Sequence, residues 1–203
     1  MTEPQAIVFV VDDDEAMRRS LSLLLDSVGL RSECYPSAVE FLEVYDADRR
    51  GCLLLDIRMP SMGGLDLQGR LNELHSTLPI IFLTGHADVP LAVRAMQAGA
   101  FDFLEKPFND QQLLDRVHAA LEHHARDRRE QRERQAVHER LDRLTPREGE
   151  VMKLIVEGHS NKIVADRLAI SERTVEIHRA RVMRKMEADS LAHLVRMWMM
   201  SRD

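Results

Sequence analysis

The period of the apolar positions changes along this chain. Ile7 to Val11 is a continuous apolar, largely β-branched run, and residues 52–55 (CLLL) and 80–83 (IIFL) are two more. Runs that are apolar on both faces suit parallel strands covered by helices on each side. Between these runs apolar residues step by three and four. Met17, Leu21, Leu24, Leu25 and Val28 precede Gly29, and Val39, Phe41 and Leu42 form a shorter set. Leu65, Leu67, Leu71 and Leu74 follow Gly63 and Gly64. Leu91, Ala92, Ala95, Met96 and Ala98 precede Gly99, and Leu113, Leu114, Val117, Ala120 and Leu121 come last. Each set predicts a helix, several closed by a glycine where a helix stops. Shorter strands are expected at residues 31–35 and 101–104. The five-fold alternation over residues 1–121 predicts an α/β domain, a doubly wound five-stranded parallel sheet of flavodoxin-like type.

The pattern then changes. Residues 122–143 (EHHARDRREQRERQAVHERLDR) contain no Gly or Pro and set opposite charges three or four apart, which predicts a solvent-exposed helical linker. Val137, Leu141 and Leu144 return at a four-then-three step, a spacing open both to a short helix-pair seam and to packing against the next domain. Residues 144–203 read as all-α, with four helices. Thr145, Pro146 and Glu148 spell a helix start with a capping box. Ser160, Ser171 and Ser190 are expected to cap three more. Helix, tight turn, helix is the helix-turn-helix outline.

Charge separates the two ends. Residues 1–121 carry 19 acidic and 10 basic side chains, residues 122–143 carry 6 and 7, and residues 144–203 carry 9 and 11. An acidic front and a slightly basic back imply domains with different partners. No apolar stretch approaches the roughly 20 residues that span a bilayer. The start, MTEPQ, lacks a basic-then-apolar leader, so a cytoplasmic protein with no membrane partner is expected. Cys34 and Cys52 are expected to be buried free thiols.

The chemistry gathers where strands end, the place where ligands bind in doubly wound sheets. Asp12, Asp13 and Asp14 follow the first run, Asp56 ends the second, Thr84 ends the third, and Lys106 and Pro107 follow the fourth. Clustered carboxylates repel and call for a cation, and hard oxygen donors at a partly open site suit Mg²⁺. A carboxylate beside such an ion can attack a phosphoryl group and form an acyl phosphate, with Lys106 neutralising phosphoryl oxygens. Taken singly, Asp12 to Asp14 could merely cap the following helix.

The segments VVDDDE, LLLDIRMP, FLTGH and FLEKPF resemble the receiver domain of two-component response regulators over roughly residues 5–122. That resemblance implies Asp56 as phosphoacceptor. It implies Mg²⁺ arranged by Asp12, Asp13, Asp56 and the backbone carbonyl of Arg58, with Thr84 and Lys106 contacting the phosphoryl group. It further implies a cis bond between Lys106 and Pro107, a switch built on Thr84 and Phe103, and a tuning role for Arg58 and His86. Gly85 would leave room for a phosphodonor, or serve simply as a packing glycine.

In the carboxy-terminal part, residues 171–186 (SERTVEIHRARVMRKM) put Val175, His178, Val182 and Met186 on one helical face. Arg173, Glu176, Ile177, Ala180, Arg181 and Arg184 fall on the other. A basic helix after a short capped helix and turn is what a major-groove reader needs. Thr174 and Arg179 complete the expected DNA-contacting set, with Lys162 and Arg167 placed for phosphates. Residues 144–186 resemble the LuxR-type helix-turn-helix, and the whole chain resembles the FixJ/NarL class of transcriptional regulators. This implies a sensor histidine kinase, promoter DNA and RNA polymerase as partners, and a homodimer when phosphorylated. It also implies a phosphoacceptor rather than an enzyme, usually an activator of transcription. Two rival readings share parts of the pattern. A metal-dependent phosphatase would often carry an acid two residues after its nucleophile, where this chain has Arg58. A phosphorylation-independent binding module would not need the full set Asp12, Asp13, Asp56, Thr84 and Lys106.

Overall fold

In the computed structural model, residues 6–85 and 89–202 are described. The chain divides into two units, Met1–Arg128 and Arg129–Asp203. In the first, β1 (Ile7–Val11), β2 (Arg31–Tyr35), β3 (Gly51–Asp56), β4 (Ile80–Thr84) and β5 (Asp102–Glu105) form one sheet in the order β2-β1-β3-β4-β5. Every pairing is parallel. The order reverses between β1 and β3, which opens a crevice at their carboxyl ends.

Alternation along each strand sorts the core into two layers. Ile7, Phe9, Val11, Leu53, Leu55 and Phe82 face one side, packed on α2 (Ala38–Glu43), α3 (Gly64–Glu73) and α4 (Val89–Gln97) through Phe41, Leu67, Leu71 and Ala95. Val8, Val10, Cys52, Leu54, Ile81 and Leu83 face the other. There they meet α1 (Glu15–Ser27) and α5 (Asp110–Asp142) through Leu21, Leu25, Leu113 and Val117. Both faces of β1, β3 and β4 are covered, which is why these strands read as unbroken apolar runs. Burying each such aliphatic side chain contributes about 1.5–3 kcal/mol.

One expectation fails here. Cys34 is exposed, whereas Cys52 is fully buried. The reason is that β2 is an edge strand with only partial cover, whereas β3 is central. Burial pushes the Cys52 thiol far above its ordinary range.

The expected last receiver helix and the charged linker belong to one continuous element, α5. Its end contributes to the second unit's core. Val137 is 3% exposed and packs with α6 (Pro146–Val156), α7 (Asn161–Leu168), α8 (Glu172–Lys185) and α9 (Leu191–Met200), alongside Leu141 and Leu144. Of the two roles open to that apolar step, packing against the following helices is the one observed. The Thr145 capping box forms, with Glu148 accepting from the Thr145 amide at 2.9 Å. Ser171 and Ser190 cap through their hydroxyls. Ser160 occupies the cap position of α7 without a side-chain cap bond.

Candidate functional site

Four strand ends converge. Asp12 follows β1, Asp56 closes β3, Thr84 closes β4 and Lys106 follows β5. Lys106 Nζ donates to Asp56 Oδ1 at 2.6 Å and to Asp12 Oδ2 at 2.9 Å. The second oxygen of each acid is also held: Asp56 Oδ2 accepts from the Arg58 amide at 2.7 Å, and Asp12 Oδ1 from the Asp14 amide at 2.9 Å. Asp12 is 1% exposed, and the Asp56 side chain 13%. The Lys106 amide donates to the Thr84 carbonyl at 2.6 Å, which ties the β4 end to the β5 end. Thr84 is buried, and the Lys106–Pro107 bond is cis.

Burial sets the electrostatics. It pushes the Asp56 carboxyl above its ordinary range, and the hydrogen bond and charge of Lys106 offset only part of that. Burial also works against the Lys106 ammonium, but Asp56 and Asp12 together outweigh it and hold the proton more firmly than water would. The result is a partly desolvated carboxylate locked to a cation at the open edge of a sheet.

The three consecutive acids divide their work. Asp14 caps α1, its carboxylate accepting from the amides of Ala16 and Met17. Asp12 points into the buried pair with Lys106, and Asp13 is exposed. Among the described residues no three His, Cys, Asp or Glu side chains close a ready metal cage. Two converging carboxylates at an open rim nevertheless fit Mg²⁺, which keeps several waters and takes phosphate oxygens instead of demanding an all-protein cage. Arg58 is exposed, and Phe103 is 40% exposed. His86 lies outside the described residues.

Three positions that matter here carried no assigned role in the sequence reading. Arg18 of α1 donates to the Asp12 carbonyl at 2.7 Å. Its signal was an arginine one helical turn beyond an acidic triplet. Gly64 lies directly against the Asp56 backbone. His124 is buried, with Nδ1 3.1 Å from the Gly51 amide and 2.8 Å from its carbonyl. Nothing local marks His124, since its partner lies 73 residues away.

In the second unit, α8 follows α7 across a turn in which Ala169 takes a left-handed conformation. Val175, Val182 and Met186 are buried and His178 is half-buried. Arg173, Glu176, Ile177, Ala180, Arg181 and Arg184 are exposed, as is Lys162. Two expected contact residues are already engaged: Arg179 donates to Asn161 at 3.3 Å, and the hydroxyls of Thr174 and Ser171 lie 2.8 Å apart. Lys185 is structural. It pairs with the buried Glu148 at 2.6 Å, and with the Thr145 amide this holds the Glu148 carboxyl down at about 2.

Comparison with known proteins supplies two family matches: response regulator receiver domain at residues 8–118, and bacterial regulatory proteins of the luxR family at residues 142–198. Nodulation protein W of Bradyrhizobium diazoefficiens is 51% identical over 193 residues, covering 95% of this chain and 85% of that protein. Transcriptional regulatory protein FixJ of Azorhizobium caulinodans is 47% identical over 190 residues, covering 94% and 90%. The low-resolution structure of the response regulator StyR gives a TM-score of 0.89 at 41% identity, covering 97% of this chain and 99% of that one.

Proposed function

The chain belongs to the response-regulator family, with a receiver domain ahead of a LuxR-type regulatory domain, and from that membership we propose that its output is controlled by phosphorylation of Asp56. It is a transcriptional regulator rather than a classical enzyme; the receiver implies a sensor kinase as partner and the LuxR-type domain implies DNA. The observation that carries the site assignment is the Lys106 ammonium bridging Asp56 and Asp12 at the strand ends.

In this reading residues 1–121 are the receiver, 122–143 the linker and 144–203 the DNA reader. An Asp56 carboxylate oxygen attacks the phosphorus of a phosphohistidine on the kinase. The new O–P bond forms as the P–N bond to imidazole breaks, and the electron pair leaves with the ring nitrogen. Lys106 then turns from the free carboxylate to the phosphoryl oxygens, and the Thr84 hydroxyl donates to the same group. Asp12, Asp13, Asp56 and the Arg58 carbonyl would hold Mg²⁺, which supplies charge neutralisation at the phosphoryl oxygens. Phe103, 40% exposed, moves inward when Thr84 is drawn toward the phosphoryl group, and this reshapes α4 and β5 into a dimerisation face. Arg173, Arg181, Arg184 and Lys162 face DNA, with Glu176 and Ile177 toward base edges. The protein acts in the cytoplasm and, as a dimer, engages RNA polymerase at its promoters. No described helix is long and apolar enough to cross a membrane.

The deciding experiment is incubation with acetyl phosphate and Mg²⁺. A labile, stoichiometric phosphoryl group lost in Asp56→Asn supports this reading. Continued turnover would indicate a hydrolase, and no label would indicate a phosphorylation-independent module.

A further inference from the structure

Asp12 is held at every polar atom of its residue. Its amide donates to the Tyr35 carbonyl at 3.3 Å, and its two carboxylate oxygens accept from the Asp14 amide and Lys106. Its own carbonyl, at the point where β1 has ended and α1 has not begun, accepts from the Arg18 guanidinium at 2.7 Å. Arg18 is half-buried on α1, and its own carbonyl lies 3.7 Å from the Cys34 sulfur on β2.

That carbonyl has a particular leverage. A peptide unit is planar, so the oxygen of residue 12 and the amide of residue 13 turn together. Fixing the one fixes the direction in which the chain leaves Asp12 and the place from which Asp13 projects. The guanidinium also carries a permanent positive charge to the backbone of Asp12, the first of three consecutive acids.

We propose that Arg18 is a positioning residue for the acidic rim: by clamping the peptide between Asp12 and Asp13 it sets the angle at which these two carboxylates meet a divalent cation. The proposal rests on the reading of this rim as a Mg²⁺-assisted phosphoacceptor site. It predicts a role in cation affinity and none in the transfer step, because the guanidinium reaches the backbone of Asp12 and not the reacting carboxylate of Asp56.

Titration calorimetry of the full chain with MgCl₂, in the absence of any phosphodonor, tests this directly. Arg18→Met keeps the apolar stem and removes the donor. It is expected to raise the Mg²⁺ dissociation constant about tenfold, the usual cost of losing an outer partner of a metal ligand. In acetyl phosphate labelling, the Mg²⁺ concentration for half-maximal rate should rise by the same factor. The rate at saturating Mg²⁺ should stay near wild type. Arg18→Lys, with one charged donor, should fall between the two. An unchanged dissociation constant in a folded Arg18→Met protein overturns the proposal, and so does a rate loss that saturating Mg²⁺ fails to restore. Should Arg18→Met not fold, Arg18→Lys decides: a several-fold weaker affinity supports the clamp and a wild-type value overturns it. A wild-type protein that neither binds Mg²⁺ nor takes label brings down the functional reading itself, and the proposal with it.

Discussion

Gly64 and Asp56 lie so close that a side-chain carbon on Gly64 would sit 2.3 Å from the Asp56 carbonyl oxygen. The same carbon would be 3.0 Å from the Phe82 ring. The start of α3 is thereby pressed against Asp56, the proposed phosphoacceptor. Only glycine fits, for lack of room rather than for any unusual backbone angle. Gly64→Ala is expected to destabilise the receiver by about 1–3 kcal/mol, the range for overpacking a tight site. It should also slow acetyl phosphate labelling by displacing Asp56. Thermal melts with parallel labelling check both. A variant that labels at the wild-type rate would show that the contact does not fix the position of Asp56.

Lys106 is the second point of leverage. Lys106→Met would leave Asp56 and Asp12 facing each other with no ammonium between them, and repulsion would add to the burial that already raises the Asp56 carboxyl. A protonated carboxyl is a poor nucleophile. Labelling should therefore fall away at a higher pH in this variant than in wild type as the solution is acidified. At neutral pH the rate should drop about 10²-fold, as when a group stabilising transition-state charge is removed. Asp56→Asn should take no label at any pH. Asp13→Ala should act through Mg²⁺, with a shifted concentration dependence. The measurement is a pH series of labelling rates at fixed Mg²⁺, and superimposable wild-type and Lys106→Met profiles would count against the assigned role of Lys106.

Glu148 gives a stability test independent of phosphorylation. Its carboxyl sits at about 2, held there first by Lys185 and then by the Thr145 amide, against an ordinary value of 4.5. The folded state therefore binds this proton more weakly than the unfolded state. The stabilisation is complete above pH 4.5 and is lost as pH falls from there toward 2. Lys185→Met should weaken the carboxy-terminal unit by about 1–3 kcal/mol at neutral pH, since it leaves a buried carboxylate with one fewer donor. It should also flatten the acid dependence. Urea melts of Lys185→Met and Glu148→Gln between pH 2 and 6 measure this, and an undiminished slope in both would remove the pair from the explanation.

The layers of the receiver were legible wherever burial was two-sided. β1, β3 and β4 announce themselves as apolar runs because helices cover both faces. β2 and β5 are edge strands with mixed side chains: the expected bounds of β2 hold and those of β5 shift by one residue, but membership of a strand does not say which side chains are covered, and Cys34, expected inside, is exposed. The order Asp12, Asp56, Thr84, Lys106 could be read because each residue directly ends an element. Which of three neighbouring acids turns inward could not be read, because that depends on Lys106, 94 residues from Asp12. The same applies to His124, whose partner Gly51 is 73 residues away, whereas Arg18 lies only six residues from the Asp12 carbonyl it reaches, one helical turn beyond the acidic triplet. On α8, helical spacing correctly separated buried Val175 and Val182 from exposed Arg181 and Arg184. Spacing had no means of showing that Arg179 is engaged by Asn161.

On that exposed face two kinds of change should separate. Arg181→Ala and Arg184→Ala should weaken binding to all sequences, and each lost phosphate contact should make the salt dependence shallower by about one unit. Glu176 and Ile177 changes should instead alter base preference by about 1–3 kcal/mol per lost contact. Arg179→Ala should combine weaker binding with a lower melting temperature, because it also loses Asn161. Operator titrations at several salt concentrations distinguish these outcomes. If every variant changed only overall affinity, with base preference intact, α8 would not be the element that reads sequence.

Control of DNA binding by the receiver calls for a fragment cut at the right place. A start at residue 138 would discard Val137, which is 3% exposed in the core of the second unit. The suitable fragment is residues 129–203, the unit that contains this core. It should melt at a higher temperature than residues 138–203, since removing a buried valine forfeits about 1.5–3 kcal/mol of burial. Its operator affinity is then compared with that of the full chain, with and without phosphorylation. Tighter binding by the fragment than by the unphosphorylated full chain assigns control to masking of α8. Equal binding, with the phosphorylated full chain tighter and dimeric, assigns it to paired half-sites about one helical turn apart. We expect phosphorylation to tighten the full chain, because a regulatory group can act only by differential contact with two states. An affinity unchanged by phosphorylation would show that the receiver does not gate DNA binding and would move its output to contact with another protein.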